Sequence, residues 1–185
     1  DIGVLDENSY LRLTGRAKDL IIRGGHSIDP QTIEVPLERH PAIAQAVAVG
    51  QPDAYAGEVP VAYVCLKDAA SVTEAQLLEY CSTHVSERPA VPKRIEVIHD
   101  MPLTAVGKIS KPALRNRATE FAVDQALTRA GIIPVHLQAA HTPESGQVIH
   151  IQLRSETDRT TAHDILKGFP MTVEIQVPTT RTGQR

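Results

Sequence analysis

The chain has 185 residues, enough for one large domain or for an ordinary domain followed by a small one. Hydrophobic residues make up 42% and charged residues 22% of the chain, and this balance excludes a disordered protein. A net charge of −3, two Phe and no Trp disfavour nucleic-acid binding as the main function. No apolar run approaches about 18 residues, so we expect no integral membrane contact. Two cysteines are too few for a disulfide framework; we expect Cys65 and Cys81 to be reduced core residues of a cytoplasmic protein.

The first 24 residues alternate turn formers with short apolar runs. The runs at 10–13 and 20–22 predict two strands joined through Thr14-Gly15-Arg16. No initiator Met opens the chain, and Asp1-Ile2-Gly3 resembles the interior of a longer sequence. We therefore expect a fragment of a longer parent chain.

A helix is predicted next, where Asp29 can act as the N-cap and Pro30 as the first helical residue. This helix should extend to about Arg39, and Pro36 should kink or shorten it. The runs at 43–49 and 58–66 are β-branched and Ala-rich, and they predict paired strands joined by a turn at 50–53. Further predicted elements are a helix opened by a Ser71–Glu74 capping box, a strand at 94–98 and a helix at 111–123.

Residues 124–185 form a second block with six acidic and six basic residues, so the net charge belongs to the first block. Strands are predicted near 132–139, 147–153 and 172–177, with a helix near 160–168. This string predicts a small β-β-α-β extension. Its histidines are His136, His141, His150 and His163. They lack the i,i+4 spacing of a helical metal site, so no metal ligands are expected.

Two motifs carry the chemistry. The first, residues 14–25, is a turn rich in Arg, Lys and Asp followed by a strand that ends in Gly24-Gly25. Its charges suit a polyanionic ligand, and glycines allow a thin ligand to pass close to the backbone; a polar turn with a Gly-Gly terminator is the structural alternative. The second motif, residues 102–111, places Lys108 after a glycine, where it could contact phosphate as a point charge or be a solvated loop lysine. A Walker phosphate-loop spacing is absent.

Together, and in this order, the two motifs resemble the carboxy-terminal domain of the adenylate-forming superfamily. This superfamily contains acyl- and aryl-CoA synthetases, adenylation domains of peptide synthetases, and luciferases. The resemblance covers about residues 1–118. It is carried by D-I-G, by L-R-L-T-G-R-A-K-D-L-I-I-R-G-G-H-S-I-D-P-Q-T-I-E, by H-P-A-I-A-Q-A-V-A-V-G-Q-P-D and by P-L-T-A-V-G-K-I-S-K-P-A-L-R.

The resemblance implies an α+β fold: a small mixed sheet with flanking helices over residues 1–122, with a hinge segment at 1–18, before the extension at 123–185. It also implies a two-step acid–thiol ligase reaction. A carboxylate attacks the α-phosphate of ATP, and a thiol then displaces AMP while the lid domain presents a different face. ATP, Mg²⁺ and CoA would serve the intact enzyme, and none of them would bind tightly to this chain. A missing amino-terminal domain of the parent would hold the carboxylic acid, so the chain alone should be inactive.

The resemblance also implies roles for individual residues. Lys108 matches the catalytic lysine, and Lys18 occupies the hinge position. Asp1 and Arg16 match two residues that hold the nucleotide. Gly24, Gly25 and His26 match the strand that lines the pantetheine tunnel of CoA.

The sequence departs from the family pattern at two places. Ser27 follows His26 where the family often carries an Arg, which removes a basic contact, and Pro36 interrupts a helix that is usually unbroken. Two alternatives to an acyl-CoA synthetase stay open: an adenylation domain that loads a carrier protein, and a non-catalytic binding module. The run Gly24 to Ile28 also resembles a carrier-protein phosphopantetheine site, but a predicted strand precedes it where a carrier needs a helix.

Overall fold

The structure is a computed structural model that describes residues 2–5, 7, 9–142 and 146–178. Asp1 therefore lies outside the described residues. The strands are β1 (Ile2–Leu5), β2 (Leu11–Gly15), β3 (Ile21–Arg23), β4 (His26–Ile28), β5 (Ile43–Asp53), β6 (Gly57–Leu66), β7 (Arg94–Val97), β8 (His136–Thr142), β9 (Gly146–Gln152) and β10 (Thr172–Gln176). The helices are α1 (Gln31–Glu38), α2 (Glu74–His84), α3 (Lys111–Arg129) and α4 (Glu156–Leu166). Within the described residues, no helix is both long enough and apolar enough to cross a membrane.

The main sheet is built on the long antiparallel hairpin of β5 and β6. Its strand order is β4-β3-β6-β5, and β7 adds in parallel to β6 beyond the end of β3. The predicted strand pair is confirmed, but the turn expected at 50–53 is wrong because β5 continues to Asp53. The carboxylate of Asp53 accepts hydrogen bonds from the N–H groups of Tyr55 and Ala56, at 2.9 and 2.8 Å, and this places the turn at 54–56. Pro52 fits inside β5 because β5 is an edge strand.

Helices cover both faces of the main sheet. Because side chains alternate along a strand, β5 and β6 send Ala48 and Val64 to a core with α1 and α2 and send Val47 and Tyr63 to a core with α3. The predicted capping box of α2 lies two residues later than expected. Thr73 is the N-cap, and its side chain and that of Gln76 each accept from the other's backbone N–H. Helix α1 runs without a break from Gln31 to Glu38, through Pro36.

The opening strands do not form one hairpin across Thr14-Gly15-Arg16. β2 instead pairs with β1 in a separate two-stranded sheet, while β3 pairs with β4 and β6. A 3₁₀ turn at Ala17–Asp19 lies between the two sheets. A single short turn of this kind changes the direction of the chain, so the two predicted strands enter different sheets.

Helix α3 continues six residues past its predicted end at Val123, to Arg129. Its first half packs on the main sheet through Leu114 and Ala118, and its second half contributes Val123 and Leu127 to a third core. The boundary expected at residue 122 thus lies inside this helix. A continuous apolar stripe explains the extra length, because each half of α3 buries a face against a different sheet.

The second sheet has the order β10-β9-β8, with β8 and β9 antiparallel and β9 and β10 parallel. Helix α4 makes the crossover between the parallel strands, as such a pair requires. Strand β8 begins at His136, four residues later than predicted. A Cβ placed on Gly168, after α4, would lie 3.3 Å from the Cβ of Ala54, so the extension also touches the β5–β6 turn. The predicted fold class, with its β-β-α-β extension, is confirmed.

Candidate functional site

Lys108 lies on a tight loop immediately before α3. The loop is closed by an antiparallel bridge between Leu103 and Ile109 and by the Thr104 N–H, which donates to the Lys108 carbonyl at 2.7 Å. Gly107 has a φ of 76°, a conformation that favours glycine. The Lys108 side chain is exposed, and its ammonium has no hydrogen-bond or ion-pair partner among the described residues. The loop therefore presents an available cation.

The next cation along the chain, Lys111, is held inside the domain. Its ammonium donates to Glu34 at 2.9 Å, and the two side chains are 24% and 16% exposed. The same Glu34 oxygen accepts from the N–H of Ala48 in β5, also at 2.9 Å. This carboxylate joins the start of α3 to α1 and to the main sheet, and so it gives the Lys108 loop a rigid base.

Arg16 and Lys18 lie at the 3₁₀ turn, and both are exposed. Arg16 lines a cavity of about 370 Å³ whose wall also contains Asp19, Glu34 and Lys111. Lys108 is not among the residues that line this cavity. The structure thus brings Arg16 to the start of α3 rather than into contact with the Lys108 ammonium.

Gly24 and Gly25 form the two-residue turn of the β3–β4 hairpin, in which Arg23 pairs with His26. Their φ values are 54° and 85°. Two successive residues with positive φ are what a type I′ hairpin turn requires, and glycine meets that need without steric cost. A Cβ at either position would meet no atom within 4 Å, so the described residues around the turn require these glycines only for their backbone conformation.

A second cavity, of about 380 Å³, opens beside this turn. Its lining contains Gly24, His26 and two arginines, Arg23 and Arg88. Arg23 donates to the carbonyl of Pro89 at 2.6 Å, which orients its guanidinium, while Arg88 is exposed. No carboxylate is among the lining residues that the structure describes, and most of the lining surface is apolar.

The two motifs therefore occupy two separate places, and the sequence missed part of each. Glu34, Lys111, Arg23 and Arg88 were not predicted as site residues. Arg88 carries no motif that could have revealed it, because it comes from a loop 63 residues after Gly25. Among the described residues, no group of three His, Cys, Asp or Glu side chains could hold a metal ion.

Both cysteines are free and buried, as expected. Burial raises the pKa of the Cys81 thiol to about 11. The pKa of Cys65 is also raised, first by burial and then by the charge of Asp100. A neutral buried thiol is a poor nucleophile, so neither cysteine is a candidate nucleophile.

Residues 32–108 match the sequence profile of the AMP-binding enzyme C-terminal domain. This part of the chain belongs to that family. The match ends at Lys108, the exposed lysine of the loop before α3. The resemblance to the carboxy-terminal domain of an adenylate-forming enzyme is thereby confirmed.

Two curated relatives of this chain have the names of a CoA ligase and an acyl-CoA synthetase. A marinolic acid–CoA ligase of Pseudoalteromonas sp. is 39% identical over 176 residues, which cover 86% of this chain and 27% of the ligase. A putative acyl-CoA synthetase, YngI, of Bacillus subtilis is 43% identical over 121 residues, which cover 65% of this chain and 22% of the synthetase. The chain spans about a quarter of the length of these relatives.

Solved structures of adenylate-forming enzymes have the same fold. ATP-bound MatB from Rhodopseudomonas palustris matches with a TM-score of 0.57 and 32% identity, covering 61% of this chain and 22% of MatB. The o-succinylbenzoate CoA synthetase MenE from Bacillus subtilis, in complex with its acyl-adenylate intermediate, matches with a TM-score of 0.55 and 33% identity. That match covers 62% of this chain and 23% of MenE.

Proposed function

We propose that this chain is the lid domain of an AMP-forming acyl-CoA synthetase, and that Lys108 is its catalytic lysine for carboxylate adenylation. The observation that carries the proposal is a contrast between neighbouring cations. Lys111 is neutralised by Glu34, whereas the Lys108 ammonium has no partner among the described residues and stands on a loop with a rigid base. A cation held ready in this way can stabilise charge without reorganising in the transition state.

The proposed first step joins a carboxylate to ATP. A carboxylate oxygen attacks the α-phosphorus, the bond to the bridging oxygen breaks, and pyrophosphate leaves with the electron pair. The Lys108 ammonium lies between the entering carboxylate and the α-phosphate oxygens and offsets their repulsion. Arg16 would contact the same nucleotide, as would Asp1. Mg²⁺ would accompany ATP in the intact enzyme, and we assign none of its ligands to this chain.

In the proposed second step the thiol of CoA gives up its proton and its sulfur forms a bond to the acyl carbon. The bond from that carbon to the AMP oxygen breaks, and AMP leaves with the electron pair. The turn at Gly24-Gly25 would face the pantetheine arm, with His26 beside it. Arg23 and Arg88 are among the residues that line the cavity at this turn, and their positive charge would favour the phosphates of CoA. This arrangement and the ligase names of the relatives favour CoA as the acceptor over a carrier protein.

A comparison of the two half-reactions in the full-length ligase tests the assignment of Lys108. Lys108→Ala should lower acyl-adenylate formation by roughly 10²–10³-fold or more, the cost of losing one preorganised donor. Thioester formation from supplied acyl-adenylate should persist, because Lys108 would then have moved away. Lys67→Ala is the matched control, since Lys67 is an exposed lysine of the same domain. Equal loss of both half-reactions in Lys108→Ala would contradict the proposal.

The isolated chain provides a second test. It should show no carboxylate-dependent pyrophosphate exchange, because the acyl pocket is assigned to the amino-terminal domain of the parent. Robust exchange by these 185 residues would refute the assignment of this chain as a lid that depends on another domain. A cytoplasmic location stays a prediction.

A further inference from the structure

Arg115 connects α3 to the turn that contains Lys18. Its Nη2 group donates to the Lys18 carbonyl at 2.8 Å and to a carboxylate oxygen of Asp19 at 3.1 Å. The Arg115 and Asp19 side chains are only 22% and 23% exposed, so water screens their ion pair less than it screens an exposed surface pair. One guanidinium nitrogen thus binds the carbonyl oxygen of Lys18 and the side chain of Asp19, the two residues joined by the Lys18–Asp19 peptide bond.

Arg115 and Lys111 lie one helical turn apart on the same face of α3. Lys111 is tied to Glu34, and Arg115 is tied to the turn, so this face is anchored at two successive positions. Lys108 precedes Lys111 by three residues. The first two turns of α3 therefore form a short rigid connection between the Lys108 loop and the Lys18–Asp19 peptide.

We propose that Arg115 is a positioning residue that makes the Lys18–Asp19 peptide a fixed part of the lid. With the Lys18 carbonyl bound to α3, everything after the Cα–C bond of Lys18 moves with Lys108, and rotation is confined to that bond or to earlier ones. Without Arg115, the flexible segment that connects the lid to the amino-terminal domain would extend toward Leu20. Neither face of the lid would then approach that domain at a defined angle. This inference rests on the proposed function, because a fixed pivot matters only to a domain that moves against another.

Limited digestion of the 185-residue chain by a lysine-specific protease tests the contact itself. The Lys18 carbonyl belongs to the bond that the protease cleaves, and cleavage requires local opening of the turn. Arg115→Ala should speed cleavage after Lys18 about tenfold, the effect of losing a charge-assisted hydrogen bond pair. Cleavage after Lys93, beside the main sheet, should change less than about twofold and reports global unfolding. Neither Arg115→Ala nor the control variant Arg117→Ala removes a lysine, so the cleavage sites are the same in both.

Arg117→Ala is the matched control, because Arg117 lies on the same helix, carries the same charge and pairs with Glu96 instead. It should leave cleavage after Lys18 unchanged. If Arg115→Ala and Arg117→Ala give equal rates after Lys18, the contact does not hold the peptide and the proposal is wrong. A proportional rise after both Lys18 and Lys93 in Arg115→Ala would show a general loss of stability, which also overturns it.

In the full-length ligase, Arg115→Ala should lower kcat for both half-reactions about tenfold and leave KM for the carboxylic acid unchanged. Lys108→Ala should instead impair adenylation alone. If Lys108→Ala is harmless, the proposed function fails. If Lys108→Ala behaves as expected but Arg115→Ala matches Arg117→Ala, the positioning role fails and the proposed function stands.

Discussion

Substitutions at Gly25 can distinguish a requirement for its backbone conformation from a requirement for open space beside the turn. Its φ of 85° is strained for any L side chain, at a cost of about 1–2 kcal/mol. A Cβ there would meet no atom within 4 Å. Gly25→Ala and Gly25→Leu should therefore lower the free energy of unfolding of this chain by the same amount, to within about 0.5 kcal/mol, because the three extra carbons of Leu reach solvent.

Urea denaturation of the chain measures that cost in stability. The rates of the two half-reactions in the full-length ligase report whether a larger side chain at Gly25 blocks the proposed path of pantetheine. If pantetheine passes over the turn, Leu should slow thioester formation at least about tenfold more than Ala, while both variants adenylate alike. Gly131 supplies the control, since it has a φ of 77°, has the same open surroundings and is not among the residues that line the cavity beside Gly24. Gly131→Ala and Gly131→Leu should cost the same stability and leave thioester formation unchanged.

Two results would refute this reasoning. If Leu destabilises the chain by more than about 1 kcal/mol beyond Ala, the space around the turn is not open. If Ala and Leu at Gly25 reduce thioester formation equally, then the turn needs glycine only for its backbone, and the assignment of the pantetheine path to it is wrong.

Three further predictions concern packing elsewhere in the chain. A Cβ at Gly50 would lie 2.5 Å from the carboxyl carbon of Glu58, which accepts from the Ile22 N–H at 2.8 Å, so Gly50→Ala should cost about 1 kcal/mol in urea denaturation. That cost should vanish in a Glu58→Ala background, and its persistence there would exclude displacement of Glu58 as the cause. Because burial raises the pKa of Cys81 to about 11, the unfolded thiol ionises first. The unfolding free energy should fall by up to roughly 2–3 kcal/mol as pH rises from about 9 through 11, and Cys81→Ala should flatten this slope; an unchanged slope would argue against a buried neutral thiol. Leu127→Ala empties a fully buried site in the third core and should cost about 2–5 kcal/mol, seen as hydrogen exchange that rises more in β9 than in β6; equal rises would contradict separate cores.

The sequence alone determined those strands, helices and turns that depend on residues close together in the chain. Apolar runs located the hairpin of β5 and β6 and the string of elements in the extension, because a strand or helix reveals its composition over a few residues. The Gly24-Gly25 pair marked the end of β3 for the same local reason, but strand β4 and the hairpin turn between the two strands were not predicted. The motif around Lys108 and the run before it were enough to indicate the family, which the profile match over 32–108 bears out.

Local sequence patterns gave wrong positions where two nearby sets of residues could form the same cap or turn. The sequence offered Ser71 with Glu74 as a capping pair, but the helix is capped by Thr73 with Gln76, two residues later. Both pairs fit the capping pattern, and packing of the helix against the main sheet decides which one lies at its end. The turn between β5 and β6 moved to 54–56 for a similar reason, since Asp53 can bind the N–H groups of its own turn.

Tertiary structure alone decided which charges remain available. Arg115 reaches Lys18 across 97 residues, and Lys111 reaches Glu34 across 77. Sequence periodicity carries no information about such pairs, because their distance depends on how the sheet orders its strands and where α3 crosses it. The same packing carries α3 from one core into another and leaves the Lys108 ammonium without a partner among the described residues. The sequence could name Lys108, but only the fold shows that its neighbours are occupied.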